Sequence, residues 1–347
     1  MQIGISSFAE MSPSTDQRGQ RSHIRMTELM EEIELADKLG LDVYAIGEHH
    51  RADFIASSPA TILAAAAVKT NNIRLSSAVT VLGSDDPVRV FQQFATVDLL
   101  SNGRAEIMAG RGSFIESFPL FGYDLNDYDE LFSEKLDLLI KLNQDDRIFW
   151  KGKLRSSLDG QGVFPRPLQK TLPIWIAVGG TPASVVRAGK LGLPLALAII
   201  GGTLEQFVPF VELYKRTWKE SGHDPEQIQI GIHCHAYVSE SDQQAADEFY
   251  PSYAEVMSRL GRERGWGPMS RAGYEQMRKP EGSLFVGSAE TISNKIKYMH
   301  DLFKHTRFLA HMPVGPMPHD LVMKSIELYA TKVAPVVRAM NHNEMKP

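Results

Sequence analysis

Short apolar, β-branched runs recur along the chain at residues 2–7, 43–47, 73–82, 104–109, 173–178, 195–200, 228–238 and 306–312. Segments follow them in which apolar side chains return every three or four positions, the spacing of a helix with one buried face. After the first run, Met26, Leu29, Met30, Ile33, Ala36 and Leu39 keep that spacing, and Gly40 stands where a helix C′ residue belongs. Phe132, Leu136, Leu139 and Ile140 write the same stripe, as do Phe207, Val208, Val211 and Trp218, and again Val322, Ile326, Tyr329 and Val333. Ser58-Pro59, Asp86-Pro87 and Thr181-Pro182 each place a capping side chain before a proline at the first helical position, and Thr203 with Gln206 reads as a capping box. Strand and helix alternating eight times predict an α/β fold, a single closed (β/α)8 TIM barrel over residues 1–347. An open dinucleotide-binding sheet fits less well, because no Gly-rich turn follows the first strand.

Three stretches interrupt the alternation. Residues 9–22, with Pro13, Gly19 and several Ser and Thr, read as a long polar loop at the catalytic face. Residues 147–170, after the fourth helix, read as an insertion with a hairpin turn at Phe149-Trp150-Lys151-Gly152-Lys153, then a loop through Gly160, Gly162, Pro165 and Pro167. Residues 250–285 mix aromatics with Arg, Gly and Pro without clear periodicity, and read as a second insertion, between strand seven and the last strand, covering the barrel mouth.

Composition narrows the function. Of 347 residues 43% are hydrophobic and 23% charged, enough apolar material for a large core in a soluble globular protein. The formal charge of -5 and the lack of a basic stretch argue against nucleic acid. The longest apolar runs, residues 62–68 and 193–200, fall far short of the roughly 20 residues of a bilayer span. The first residues lack a basic, then apolar, secretory pattern. One cysteine, Cys234, excludes an internal disulfide and any multi-cysteine metal site, and the cytoplasm is the expected location.

In such a barrel, chemistry gathers at the carboxyl ends of the strands. Strand two ends in Glu48-His49-His50, a carboxylate and two imidazoles suited to proton transfer near neutral pH. Strand four ends in Gly110-Arg111-Gly112-Ser113, where glycines let backbone approach an anion and Arg111 supplies a planar charge. Strand five ends in Gly179-Gly180-Thr181-Pro182-Ala183-Ser184, a turn into a helix N-terminus that can cradle a phosphate. His233-Cys234-His235 puts two imidazoles on one face of a strand. They line a pocket or form half of a metal site, although no carboxylate completes a ligand set. His311, before Pro313 and Gly315, is of the same kind.

Taken together these residues resemble the bacterial luciferase-like flavin monooxygenase family, from the first strand to the last helix. Glu48-His49-His50 resembles that family's Glu-His-His, whose first histidine is catalytic, which implies catalytic His49 and Glu48. The segment ending Asp86-Pro87-Val88-Arg89 resembles the family's third strand and helix start, and implies a non-prolyl cis peptide at Ala78-Val79 under the isoalloxazine ring. Arg111 with Gly112 matches the arginine that contacts the FMN phosphate, and Gly179, Gly180, Thr181 and Ser184 match the second phosphate turn. Gly110 stands where the light-emitting subunit has a reactive cysteine, so no light emission is implied. A substrate pocket bordered by His50, Phe114, His233, His235 and His311 is expected, with no metal.

The resemblance implies reduced FMN and O2 forming a C4a-hydroperoxyflavin that oxygenates a small organic substrate, with electrons from a separate NAD(P)H:flavin reductase. It also implies a homodimer through helices two and three, where Ala60, Ala64, Ala65, Ala66 and Ala67 allow close approach. The alternatives are an F420-dependent hydride-transfer oxidoreductase, a metal-dependent barrel hydrolase using His49, His50, His233 and His235, and a flavin-binding protein without catalysis.

Overall fold

A computed structural model describes residues 1–12 and 19–344. Its first half runs β1 (Gln2–Ser7), α1 (Gln20–Lys38), β2 (Val43–Ile46), α2 (Pro59–Ala67), β3 (Arg74–Ser77), β4 (Thr80–Val81), α3 (Pro87–Leu100), β5 (Ala105–Gly110), α4 (Ser117–Phe121) and α5 (Tyr128–Gln144). A hairpin of β6 (Arg147–Trp150) and β7 (Leu158–Gly162) precedes β8 (Ile174–Val178), α6 (Pro182–Leu191), β9 (Leu195–Ala198), α7 (Val208–Glu220) and β10 (Ile230–Ser239). The chain ends with α8 (Asp242–Arg264), α9 (Arg271–Arg278), β11 (Phe285–Ser288), α10 (Ala289–Phe303), β12 (Arg307–His311), α11 (His319–Leu328) and α12 (Ala334–Glu344).

Strands β1, β2, β3, β5, β8, β9, β10 and β12 pair in parallel in that order, and β12 closes on β1. This is the (β/α)8 barrel expected from the alternation. Period-two alternation sorts its side chains: Val43 and Ala45 point into the barrel with Met108, Trp175 and Leu309, whereas Tyr44 and Ile46 point out to the helices. The amino end of the barrel is closed by charge. Arg307 forks onto the buried Glu106 and lies 4.1 Å over the Trp175 ring.

Local signals explain many boundaries. Gly40 takes a φ of 77°, and its N–H and that of Leu39 bond back to helix carbonyls, closing α1. Asp86 accepts from the N–H of Val88 and Arg89 ahead of α3, and Thr203 and Gln206 form the capping box. Ser58 and Thr181 make no side-chain cap, leaving the Thr181 hydroxyl available elsewhere.

Four expectations change. The 73–82 run is two strands, β3 and β4, interrupted at Ala78–Val79, whose peptide is cis. Phe149 and Trp150 belong to β6 rather than to a hairpin turn. The polar loop is shorter than expected because α1 begins at Gln20; Pro13 lies outside the described residues. Residues 250–285 are not irregular: α8 runs through Pro251 to Arg264 and buries Ala245, Ala246, Phe249, Tyr253 and Val256 on one face. The aromatics of this segment are a core of their own, joined by Tyr274 and Leu284. β11 then lengthens the barrel wall by pairing with the end of β10.

Candidate functional site

The carboxyl ends of the strands surround a cavity of about 360 Å3. Its wall takes in Glu48, His49, Ala78, Val79, Arg111, Gly112, Gly179, Thr181, Ser184, His233 and His235, so eleven of the residues singled out in the sequence, drawn from strands far apart in the chain, meet in one space. Gly180 sits in the turn beside it with a φ of 117°, a conformation that favours glycine.

Strand β2 carries Glu48 and His49 to the rim. Both carboxylate oxygens of Glu48 are engaged, one accepting the Val81 N–H at 2.8 Å and the other 2.9 Å from Nε2 of His50. Glu48 therefore ties the end of β2 to β4, next to the cis peptide. His50 turns out of the central cavity into a neighbouring one of about 240 Å3. His49 faces inward, and its buried Nε2 has no partner among the described residues. Burial, reinforced by His311, His50 and Arg51, pushes its pKa down to about 3, so at neutral pH it is an uncharged imidazole.

Arg111 stands at the other side. Its guanidinium donates to Asp129 at 2.5 Å and to the Thr181 hydroxyl at 3.0 Å, joining the end of β5 to the N-terminus of α6. The first N–H groups of a helix lack intrahelical partners, so this corner presents a cation, a hydroxyl and a helix N-terminus together. A Cβ added at Gly179 or Gly180 would meet open space, and Ser184 is buried on the adjoining turn. Tyr128 steadies the loop by donating to the carbonyls of Arg111 and Gly112.

His233 and His235 both point inward as the alternation requires, while Cys234 faces the helices, where burial pushes its thiol pKa up. Burial also holds both imidazoles neutral, that of His235 at a pKa of about 3. His311 is fully buried one layer behind, against the Phe8 ring at 4.1 Å, and does not line the cavity. Phe114 lies above His49, its ring centroid 5.1 Å away, clamped between the guanidinium groups of Arg51 and Arg264. His50, His311 and Phe114 thus flank the pocket instead of walling it. Among the described residues no three His, Cys, Asp or Glu side chains converge as metal ligands.

Several residues were missed by reading the sequence. Phe8, directly after β1, packs edge-on to His49 at 4.5 Å, and Gly47 is glycine because a Cβ there would lie 2.2 Å from the Phe8 ring. Position at a strand end was the signal for Phe8. Arg51 binds Asp53, Glu116 and Glu263, and Arg259 also reaches Asp53, so the end of α8 is fastened over the loops after β2 and β5. Contacts spanning 212 and 206 residues leave no local trace.

Comparison with known proteins agrees with this arrangement. The luciferase-like monooxygenase family model matches residues 1–306. The chain belongs to that family. It is 26% identical over 326 residues to the "uncharacterized protein y4vJ" of Sinorhizobium fredii, covering 89% of this chain and 91% of that one. It is 26% identical over 249 residues to the flavin-dependent trigonelline monooxygenase, oxygenase component, of Acinetobacter baylyi, covering 70% and 66%. Among solved structures, monooxygenase RslO1 from Streptomyces bottropensis superposes with a TM-score of 0.81 at 22% identity, covering 96% of this chain and 99% of that one. The oxygenating constituent of 3,6-diketocamphane monooxygenase from Pseudomonas putida, in complex with FMN, gives 0.77 at 18%, covering 97% and 98%. An F420-dependent secondary alcohol dehydrogenase gives 0.75 at 18%, covering 97% and 99%. These structural likenesses establish the shared fold.

Proposed function

We propose that this member of the luciferase-like family is the oxygenase of a two-component flavin monooxygenase, which takes reduced FMN from a separate NAD(P)H:flavin reductase and uses O2 to oxygenate a small organic substrate. The observation that carries the reading is the Arg111–Thr181 corner at the N-terminus of α6, opening onto a cavity that also holds the His49 imidazole, whose Nε2 has no partner among the described residues. The residues fit a phosphate-bearing flavin: a cation, two hydroxyls and open space beside two glycines at one end, and the apolar Ala78, Val79 and Met108 in the wall. Arg111, Gly112, Gly179, Gly180, Thr181 and Ser184 would hold the phosphate, and Ala78 and Val79 the ring. Bound reduced flavin supplies the two electrons that activate O2.

The protein's own part is to bind, exclude water and move protons. Neutral His49 can accept a proton from a reacting group or donate its N–H in a hydrogen bond. Glu48 is a positioning residue, since both its oxygens hold neighbouring parts of the site. The trigonelline enzyme, named as an oxygenase component, supports the separate reductase.

The exposed Val68, Leu99 and Leu100 at the ends of α2 and α3 support a homodimer through those helices, although Ala60, Ala66 and Ala67 are buried within the chain. A monomeric mass in sedimentation would refute that pairing.

Anaerobic titration with reduced FMN and with reduced F420, followed by mixing with oxygen, tests the function. Saturable binding of reduced FMN, with oxygen consumed more slowly than by the free flavin, is expected. Binding of reduced F420 alone would move the protein to hydride transfer, and stoichiometric zinc without flavin to hydrolysis.

A further inference from the structure

Behind the central cavity, on the β1 side, lies a second cavity of about 130 Å3, bordered by Glu10, Arg25, Glu28, Glu32 and His319. Glu28 and His319 are part-exposed, so this space reaches solvent. Glu10 itself is buried, and its Oε2 has no partner among the described residues. Its Oε1 lies 3.1 Å from Nε2 of His311, Nδ1 of His311 lies 3.2 Å from the Ser6 hydroxyl, and that hydroxyl lies 3.0 Å from Nε2 of His233, which lines the central cavity. Four buried polar side chains from β1, the segment after it, β10 and β12 thus make an unbroken row of hydrogen bonds from one cavity to the other.

We propose that Glu10, His311, Ser6 and His233 form a proton relay between the active-site cavity and this outer cavity. The proposal rests on the central cavity being the reaction site. The geometry allows one consistent direction when Glu10 is ionised: His233 donates from Nε2 to Ser6, Ser6 donates to Nδ1 of His311, and His311 donates from Nε2 to Glu10. A proton received at Nδ1 of His233 then moves each hydrogen one place along. The Nε2 proton of His233 passes to Ser6, the Ser6 proton to Nδ1 of His311, and the Nε2 proton of His311 to the Glu10 carboxylate. One proton leaves the central cavity and one arrives on Glu10, with no net charge left on the rings or the serine. The reverse sequence, begun from protonated Glu10, returns a proton to the cavity. Burial keeps both terminal needs of such a relay: the His233 ring is uncharged between transfers, and bulk water is kept from the row.

Packing alone does not demand this construction. His311 already fills its place by contact with Phe8 and Ser6 pairs two buried ring nitrogens, but neither accounts for a buried Glu10 oxygen left without a partner among the described residues at the end of the row. A continuous row with an unpaired carboxylate oxygen at one end and a cavity-facing imidazole at the other is what a relay requires.

The test uses the full chain labelled with 15N-histidine, with and without flavin. In the flavin-free protein, His233 and His311 are both expected as Nε2–H tautomers. Glu10→Met, which removes the terminal acceptor, should shift the His233 signals toward the Nδ1–H tautomer although the two residues do not touch. Combining it with Ser6→Ala, which deletes one oxygen, should abolish that response. In turnover, Ser6→Ala should slow oxygenation at least about tenfold and change the solvent deuterium isotope effect, with FMN affinity unchanged and activity recovered by Ser6→Thr. A His233 tautomer indifferent to Glu10, or Ser6→Ala turnover equal to wild type, overturns the relay. If the wild-type chain binds no reduced flavin, the reaction assigned to the cavity is wrong, and the tautomer response still decides for or against the relay. If Glu10→Met fails to fold, turnover of Ser6→Ala decides: a rate and solvent isotope effect equal to wild type overturn the relay.

Discussion

Four histidines buried without charge set a limit on acid stability. His49, His233, His235 and His305 are each held below the ordinary imidazole value of 6.5, chiefly by burial. The native state thus binds fewer protons than the unfolded chain once the pH drops below 6.5. A group whose folded pKa is depressed contributes stability fully above its unfolded value and loses it as the pH falls toward its folded value. Each such group therefore removes about 1.4 kcal/mol per pH unit below 6.5. Together the four remove about 6 kcal/mol at pH 5.5 and about 8 kcal/mol at pH 5, a large part of the 5–15 kcal/mol typical of a folded domain. Urea melts from pH 8 to 5 should show a steep fall below 6.5, with a slope near four protons. His305→Phe, away from the cavity, should cut that slope by about one quarter. A stability that is level between pH 7 and 5.5, or a slope unaltered by His305→Phe, would refute the reasoning.

The barrel was legible because its signals are local. Each of the eight strands that close the barrel is a run of four to ten residues, and Gly40, Asp86 and Thr203 with Gln206 mark helix ends through their own side chains or their lack of one. The site was legible where a residue type and a strand end coincide, as at Glu48-His49, Arg111, Gly179 and His233. Residues 250–285 were misread for a physical reason. The buried face of α8 starts at Ala245, upstream of that segment, and is built from alanines and aromatics four apart, which carry little hydropathy contrast with the surrounding Arg and Tyr. Pro251 then resembles a boundary, although one proline removes a single donor and the helix continues on its tertiary contacts.

The orientation of His50, His311 and Phe114 was a different problem, since a residue's place in a motif does not say which cavity its ring enters. The Glu48 carboxylate draws His50 outward, and Glu10 and Ser6 draw His311 back from the pocket. Those partners lie up to 305 residues away in the chain, and only the closed barrel brings them together.

Further outcomes follow from the site. His49→Asn should leave FMN affinity within about twofold and lower oxygenation by about 10²–10⁴-fold, measured as product per bound flavin; unaltered turnover would remove proton transfer from its role. Gly110→Cys should destabilise the barrel by about 1–3 kcal/mol in urea melts, because the new Cβ would stand 2.7–2.9 Å from three atoms of Val79, and a variant as stable as wild type would show that Val79 can give way. Arg111→Ala tests the phosphate assignment most directly. Its ion pair is with Asp129, whose side chain is 76% exposed, so exchanging that partner for a phosphate costs little. A buried-edge guanidinium making charge-assisted bonds to phosphate contributes about 1.5–3 kcal/mol. FMN affinity in Arg111→Ala should therefore fall by about 10–200-fold, read by quenching of flavin fluorescence. Riboflavin carries the same ring without the phosphate, and its affinity should hold within about twofold if Arg111 acts only at the phosphate. A parallel loss for both flavins would mean that Arg111 shapes the ring pocket instead, through its contacts to Tyr128 and Thr181.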